Sequence, residues 1–354
     1  MTSLARRWCV VLGVLVLSAA QAVVPLSHSN RASAQERVER PPQFVLLSFD
    51  GSKDNKFWRE SRAFAKKHNI RFTYFISGVY FLTRAERKVY VEPKRGPGRS
   101  AIGYGGTPED IADRLDQLWL AFSEGHEIAS HANGHFDGSS YTARMWNSEL
   151  KQFGSIIQRA WAKYSRKKVP EGFADMFDRS IIGLRAPQLG VSKGLFSALR
   201  EKNYLYDTSR VNRMNYWPRK RAGVWNFPLA SIRLARSNKR TLSMDYNLYF
   251  AHSKAKRAPK SKWQGFEDET YETYMNYFRN NYYGNRAPID IGHHFSKWNG
   301  GAYWRGMQRF ARSVCNRDEV LCVTYQDLMA FMEANVSKTD AFQAGRFPKK
   351  KRGS

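Results

Sequence analysis

Acidic residues are scarce in this 354-residue chain, where 31 Asp and Glu stand against 58 Lys and Arg for a formal net charge of +27. That imbalance favours polyanionic surroundings: an anionic cell envelope, acidic lipid or nucleic acid. Cysteine is nearly absent. Cys9 falls in an apolar leader, and Cys315 and Cys322 have no His or third Cys near them. A metal site there is therefore disfavoured, and an oxidising compartment would pair the two as a disulfide. No segment after the leader is apolar enough to span a membrane, and there is no internal repeat.

A leader pattern is legible in the first residues. Basic MTSLARRW precedes CVVLGVLVLSAAQAVVPL, with small-residue cleavage options after Ala22 or Ala34. This is the pattern of a secretory signal over residues 1–34, and it implies a secreted or periplasmic protein. The rival reading is an uncleaved anchor, but the run is a little short of the ~20 apolar residues a spanning helix needs and carries Gln and Ser. Arg6, Arg7 and Arg31 are the only charges up to Ala34, so a cleaved product stays strongly basic. Export makes nucleic acid an unsuitable partner and leaves an anionic envelope surface. Residues 35–42 read as a polar linker ending in Pro-Pro, 43–338 as a single folded domain, and 339–354, closing in PKKKRGS, as a basic tail.

Within the domain, FVLLSF is a short, wholly apolar run ending at Asp50, the form of a buried parallel strand. FWRESRAFAKKHNI then reads as helix and RFTYFISG as strand. Residues 86–106, rich in Pro, Gly and charge, read as a long loop. Thr107 as N-cap and Pro108 at the first helical position open a helix with an apolar face at Ile111, Leu115, Leu118, Trp119 and Phe122, ended by Gly125. HEIASH (strand), TARMWNSELKQFGSIIQRAWAKY (helix), IIGLRAP (strand), SKGLFSALREKN (helix), YLYDTS (strand), TYETYMNYFRNNYYG (helix), PIDIGHHF (strand) and a helix near TYQDLMAFMEAN follow. Such alternation implies a parallel sheet with helices outside it and functional groups at the carboxyl ends of the strands. Periodicity alone leaves a closed barrel and an open doubly wound sheet equally available.

The polar residues at those strand ends carry the chemistry. In GHEIASHANGH, His131 and His135 are four residues apart directly after a strand, a spacing that lets two imidazoles converge on one cation such as zinc. Asp50 would point into the mouth of the sheet as a base or a metal ligand; alternatively it opens the turn Asp-Gly-Ser. Arg185 in GLRAP and His294 in IDIGHHF also end apolar segments, so four strand ends offer acid, base, ligand and charge-positioning groups. One clear carboxylate among histidines does not suit a glycosidase, which needs two carboxylates flanking the scissile bond.

The order and spacing of LSFDG, GHEIASHANGH, RAP, YDTS and the strand ending at His294 resemble the polysaccharide deacetylase (NodB-homology) family, carbohydrate esterase family four. VWNFPL at 224–229 is similar to a segment found between its later motifs. The resemblance runs from about Gln43 to Ala334. It implies a distorted (β/α) barrel and hydrolysis of a carbon–nitrogen non-peptide bond, the release of acetyl groups (N-acetyl foremost) from acetylated polysaccharides such as chitin-like polymers or peptidoglycan. By resemblance, His131 and His135 hold a divalent metal, zinc foremost. Asp50 takes a proton from water and His294 protonates the leaving group. Arg185 positions Asp50, and Asp207 orients Arg185 or His294.

One departure bears on mechanism. The family's first motif usually has two adjacent Asp residues, base and ligand, whereas here Asp50 is followed by Gly51. Three arrangements follow: Asp50 is the base, with Asp54, Ser52 or water completing a metal site; Asp50 is the ligand; or the chain binds carbohydrate or cell wall without hydrolysing it. His293 adjoins His294, and strand alternation puts the two on opposite faces, with His293 packed beside the site. Tyr216, Trp217, Trp225, Trp263, Trp298 and Trp304 offer faces on which sugars could stack, although such rings are also ordinary core material.

Overall fold

A computed structural model describes residues 37–350 apart from Arg166, Lys167, Val169, Ala174 and Asp175. The leader at 1–34 and the last four residues lie outside that range. Strand β1 (Gln43–Gly51) is buried up to its final glycine, so it needs partners on both edges. It pairs in parallel with β8 (Ile289–His294) on one side, and on the other with β9 (Val320–Val323) along its first half and β2 (Thr73–Ile76) along its second.

The sheet continues from β2 through β3 (Glu127–Ser130), β4 (Gly183–Leu184) and β5 (Tyr206–Asp207) to the β7 (Val224–Asn226) and β6 (Arg219–Arg221) ribbon. Only that last pairing is antiparallel. Among the described residues the two ends of the sheet, β8 and β6, do not pair, so it curls without closing. A small sheet of Val211–Arg213, Leu229–Arg233 and Arg240–Leu242 lies beside β8, joined to it by a Met244–Gly292 bridge in which Gly292 N–H donates to the Ser243 carbonyl at 2.9 Å. The expected α/β architecture, a distorted (β/α) barrel, is the one observed.

Helices cover the outside for the reasons read from the sequence. Helix α1 (Asn55–His68) is capped by Asp54, whose carboxylate accepts from the N–H groups of Lys56 and Phe57. In α2 (Pro108–Ser123) Thr107 and Asp110 form a reciprocal capping box, a device worth about 1 kcal/mol. Helices α3 (Ala143–Tyr164), α4 (Lys193–Glu201), α6 (Trp263–Tyr282) and α8 (Tyr325–Ala334) match the expected segments, α6 beginning several residues earlier.

Within residues 43–338 two helices were not anticipated: α5 (Asp245–Ser253) and α7 (Trp298–Val314). The α7 sequence opens on Asn-Gly-Gly, which reads as a turn, and residues 299–301 do adopt positive φ before the helix proper. The packed body also runs on past Lys338. Helix α9 (Thr339–Ala344), within what reads as a tail, buries Phe342, and Phe347 is buried beyond it, both in one apolar cluster with Phe44 and Trp217. The larger cluster lies between the sheet and α1, α2, α6 and α7, where Phe49 packs against Phe57, Tyr74, Phe295 and Trp304.

Candidate active site

The parallel strands end together on one side of the sheet, where a cavity of about 740 Å³ is lined by Asp50, His131, His135 and His294, with Tyr80, Leu189, Met244, Tyr246 and Trp298 on its walls. Asp50 and His294 are register partners on β1 and β8. His131 follows β3 and Arg185 follows β4, whose last residues, Ser130 and Leu184, are paired. The sheet thus brings the four expected strand ends to one place. Buried Arg114 of α2 holds the rim, donating to the carbonyls of Tyr80, Lys53 (2.6 Å) and Gly105 (3.0 Å).

Arg185 is fully buried and lies beneath the carboxylate of Asp50. One terminal nitrogen donates to Asp50 Oδ1 at 2.7 Å and to Ser48 Oγ at 3.0 Å; the other donates to the Tyr325 hydroxyl at 2.7 Å. Its guanidinium lies over the Phe75 ring at 4.3 Å. Tyr325 in turn donates to Asp290 Oδ1 at 2.6 Å. Burial alone would raise the Asp50 carboxyl, but the charge of Arg185, helped by His131 and His294, outweighs it and holds the group below the usual carboxylate range. Asp290, farther from the cation, is pushed by burial up to about 7. Asp50 is therefore ionised at neutral pH, and with Oδ1 committed to Arg185 its Oδ2 is the oxygen left to act.

The imidazoles differ sharply. His131 is buried, its Nδ1 lies 2.7 Å from the Arg185 carbonyl, and burial lowers its pKa to about 3. The carbonyl can only accept, so Nδ1 carries the proton and Nε2 is an unprotonated lone pair, buried and without a partner. His135 lies with its ring centre 5.1 Å away and is likewise lowered by burial and by His294. Two neutral imidazoles, one with an orphaned buried nitrogen, suit a divalent cation. Among the described residues, no three His, Cys, Asp or Glu side chains gather as a ready cluster.

Of the candidates to complete such a site, Asp54 is spent on capping α1, whereas Ser52 is buried with its Oγ unpartnered and lines the cavity. Gly51 sits at φ +110°, a conformation glycine tolerates, and a Cβ there would meet only the Tyr80 ring at 3.9 Å.

His294 is the opposite case. Its Nδ1 lies 2.7 Å from Asp245 Oδ1, and its backbone N–H donates to Asp245 Oδ2 at 2.9 Å. Burial would lower the imidazole, but the Asp245 carboxylate overrides this and raises it, with a further contribution from Asp50. His293, on the other face of β8, is buried between Phe49 and Tyr274, whose hydroxyl lies 3.1 Å from its Nε2, and burial lowers it to about 4.

The resemblance implied that Asp207 orients Arg185 or His294, but its carboxylate is bonded to Ser209 and Asn226 instead. Asp207 is wholly buried, which lifts it to about 6, and its carboxylate accepts from Ser209 Oγ at 2.6 Å and from Asn226 at 3.2 Å. Ser209 Oγ then accepts from the Ala186 N–H at 2.7 Å, so Asp207 braces the Arg185 loop at one remove. The orienting carboxylate for His294 is Asp245, which sequence reasoning missed because the strand before it, Arg240–Leu242, is three residues long. Asp290 was legible in principle: in IDIGHH it shares a face with His294, and an acid inside an apolar strand needs a buried partner. Of the aromatic residues singled out, Trp298 lines the cavity, while Trp217 and Trp225 are buried in the core.

No family model matches this chain, and no curated protein matches it. Solved structures do. A polysaccharide deacetylase structure from Mycobacterium smegmatis aligns over 85% of this chain and 96% of its own at 12% identity, with a TM-score of 0.52. The Xyl-CE4 domain of a xylanase from the hindgut metagenome of Trinervitermes trinervoides covers 82% and 92% at 11% identity with a TM-score of 0.42. A peptidoglycan deacetylase from Bacillus subtilis covers 86% and 99% at 11% identity with a TM-score of 0.43. The fold is that of the polysaccharide deacetylases.

Proposed function

We propose that the chain is an exported polysaccharide deacetylase that hydrolyses acetyl groups, N-acetyl foremost, from a glycan held in the cavity. The observation that carries this reading is the pairing of opposed groups at one mouth: Asp50, kept ionised by Arg185, and His294, kept protonated to higher pH by Asp245. Asp50 Oδ2 accepts the proton of the attacking water. His294, its Nδ1 held by Asp245, presents Nε2 to the departing nitrogen or oxygen and supplies the proton that lets it leave. The Tyr80, Leu189 and Met244 wall excludes water from the acetyl methyl. A divalent cation such as zinc at His131 and His135, with Ser52 or Asp50 nearby, would polarise the acyl oxygen and acidify water there.

Export is supported by the leader pattern at 1–34, which suits a secreted or periplasmic protein, and by the Cys315–Cys322 disulfide, which suits an oxidising compartment. Gly51, where the resembled family carries a second carboxylate, favours one alternative: a barrel that binds wall carbohydrate without cleaving it. Acetate release from chitooligosaccharides and peptidoglycan fragments, measured with zinc and with a chelator, separates the two. Zinc-dependent release supports the deacetylase. Sugar binding with no release under any condition supports the binding barrel.

A further inference from the structure

Helix α5 leads out of the cavity into a basic, exposed arm. Between Asp245 and Glu267 the chain carries Lys254, Lys256, Arg257, Lys260 and Lys262 and no acidic residue. All five cations are exposed, and among the described residues none of them pairs with a carboxylate. The acids at the start of α6 are already taken: Glu267 by Arg305 and Arg309, Asp268 by Arg309, and Glu272 by Arg236, while Glu269 faces His252.

The arm is held in place rather than left to trail. Ala258 N–H donates to Asn299 Oδ1 at 2.8 Å, Trp263 Nε1 donates to the Ala258 carbonyl at 2.9 Å, and Asn299 is the neighbour of the cavity-lining Trp298. Both ends of the path thus touch the cavity wall, through Tyr246 of α5 and through Trp298 of α7. Along α5, Tyr246 and Phe250 are one turn apart and exposed at 44% and 57%, an apolar step between the cavity and the cations. A nine-residue helix is about 13 Å long, so charge and cavity are within reach of one extended polymer.

We propose that this arm is a docking surface for an acidic polysaccharide, one with carboxylates along its chain, which feeds acetylated sugars to the cavity. The aromatic step suits sugar rings, the unpaired lysines suit regularly spaced charges, and continuity with a sugar-sized cavity favours a glycan over lipid or nucleic acid. The proposal rests on the deacetylase reading above, and the test separates the two.

The full-length protein is compared with a variant in which Lys254, Lys256, Arg257, Lys260 and Lys262 are all changed to Gln. Polygalacturonate, which carries no acetyl group, probes the arm alone. The variant should bind it at least tenfold more weakly at low salt, and its affinity should depend less steeply on salt. KM for hyaluronan, acidic and N-acetylated, should rise by a similar factor, while turnover of neutral chitooligosaccharides is unchanged. Equal binding of polygalacturonate by the two proteins overturns the proposal. So does tighter, equally arm-dependent binding of poly-U or of phosphatidylglycerol vesicles, which would assign the arm to another partner. Arm-dependent binding of polygalacturonate without acetate release from any glycan keeps the docking surface and removes the deacetylase reading.

Discussion

Asp245 Oδ1 lies 2.7 Å from His294 Nδ1, and the same carboxylate also takes the His294 backbone N–H. The imidazole is therefore fixed in orientation and tautomer, with Nε2 facing the cavity. The Asp245 charge raises its pKa, so the acid form persists to higher pH than in an ordinary histidine, and activity should fall as pH rises through that raised value. Replacing Asp245 by Asn removes the charge that does the raising. The alkaline limb of the pH–rate profile should then move to lower pH while the acid limb, set by Asp50, stays in place. His294→Ala should lower kcat by about 10²–10⁴. An alkaline limb unmoved in Asp245→Asn would show that His294 is not the group titrating there.

Arg185 is the sole cation touching two buried carboxylates, Asp50 at 2.7 Å and Asp290 at 3.8 Å, among the described residues. Arg185→Ala should cost stability as well as turnover, about 3–5 kcal/mol at neutral pH, because uncompensated buried charge remains. The sign of its pH dependence follows from burial. In the parent, Asp50 has a depressed pKa and contributes stability that is present above its unfolded value and lost as pH falls through the folded one. Without Arg185, burial raises Asp50 instead, and protonation relieves the variant. The stability gap between parent and variant, read from urea midpoints, should narrow as pH is lowered from 7 towards 4. A constant gap would contradict this account.

Gly51 at φ +110° has space beside it but a backbone conformation unfavourable to other residues. Gly51→Ala should lower stability by about 1–3 kcal/mol without obstructing the cavity. Gly51→Asp should lose a similar amount and, if its carboxylate reaches the His131 and His135 side, bind zinc more tightly than Gly51→Ala in calorimetric titration. Full stability in both variants would show that the loop relaxes to accept a side chain.

How much of this was legible depends on where each residue sits. Asp50, His131, Arg185 and His294 close apolar strand segments, and a parallel sheet gathers its carboxyl ends whatever the intervening lengths, so their convergence could be read from pattern. Asp245 follows a three-residue strand in a small separate sheet, and its approach to His294 depends on the Met244–Gly292 bridge, a tertiary pairing with no local signature. Asp207 ends a two-residue strand as expected, but its side chain turns to Ser209 and Asn226, a choice that neighbours rather than periodicity decide. The α7 helix was hidden by the glycines that begin it, and α9 by the basic residues that follow it.

The disulfide offers a test away from the chemistry. Cys315 caps the C-terminus of α7 and Cys322 lies in β9, the strand that pairs with the first half of β1, so the bridge ties the last long helix of the barrel to the edge of its first strand. Closing a loop this short should contribute about 2.5 kcal/mol through the unfolded chain. Cys315→Ser should lower the unfolding midpoint accordingly, with Cys315→Ser/Cys322→Ser no worse than the single change. Because the bridge is remote from the cavity, acetate release per folded molecule should be unaffected at a temperature where both proteins remain folded. A loss of activity without loss of stability would mean that β9 sets the position of Asp50 through β1.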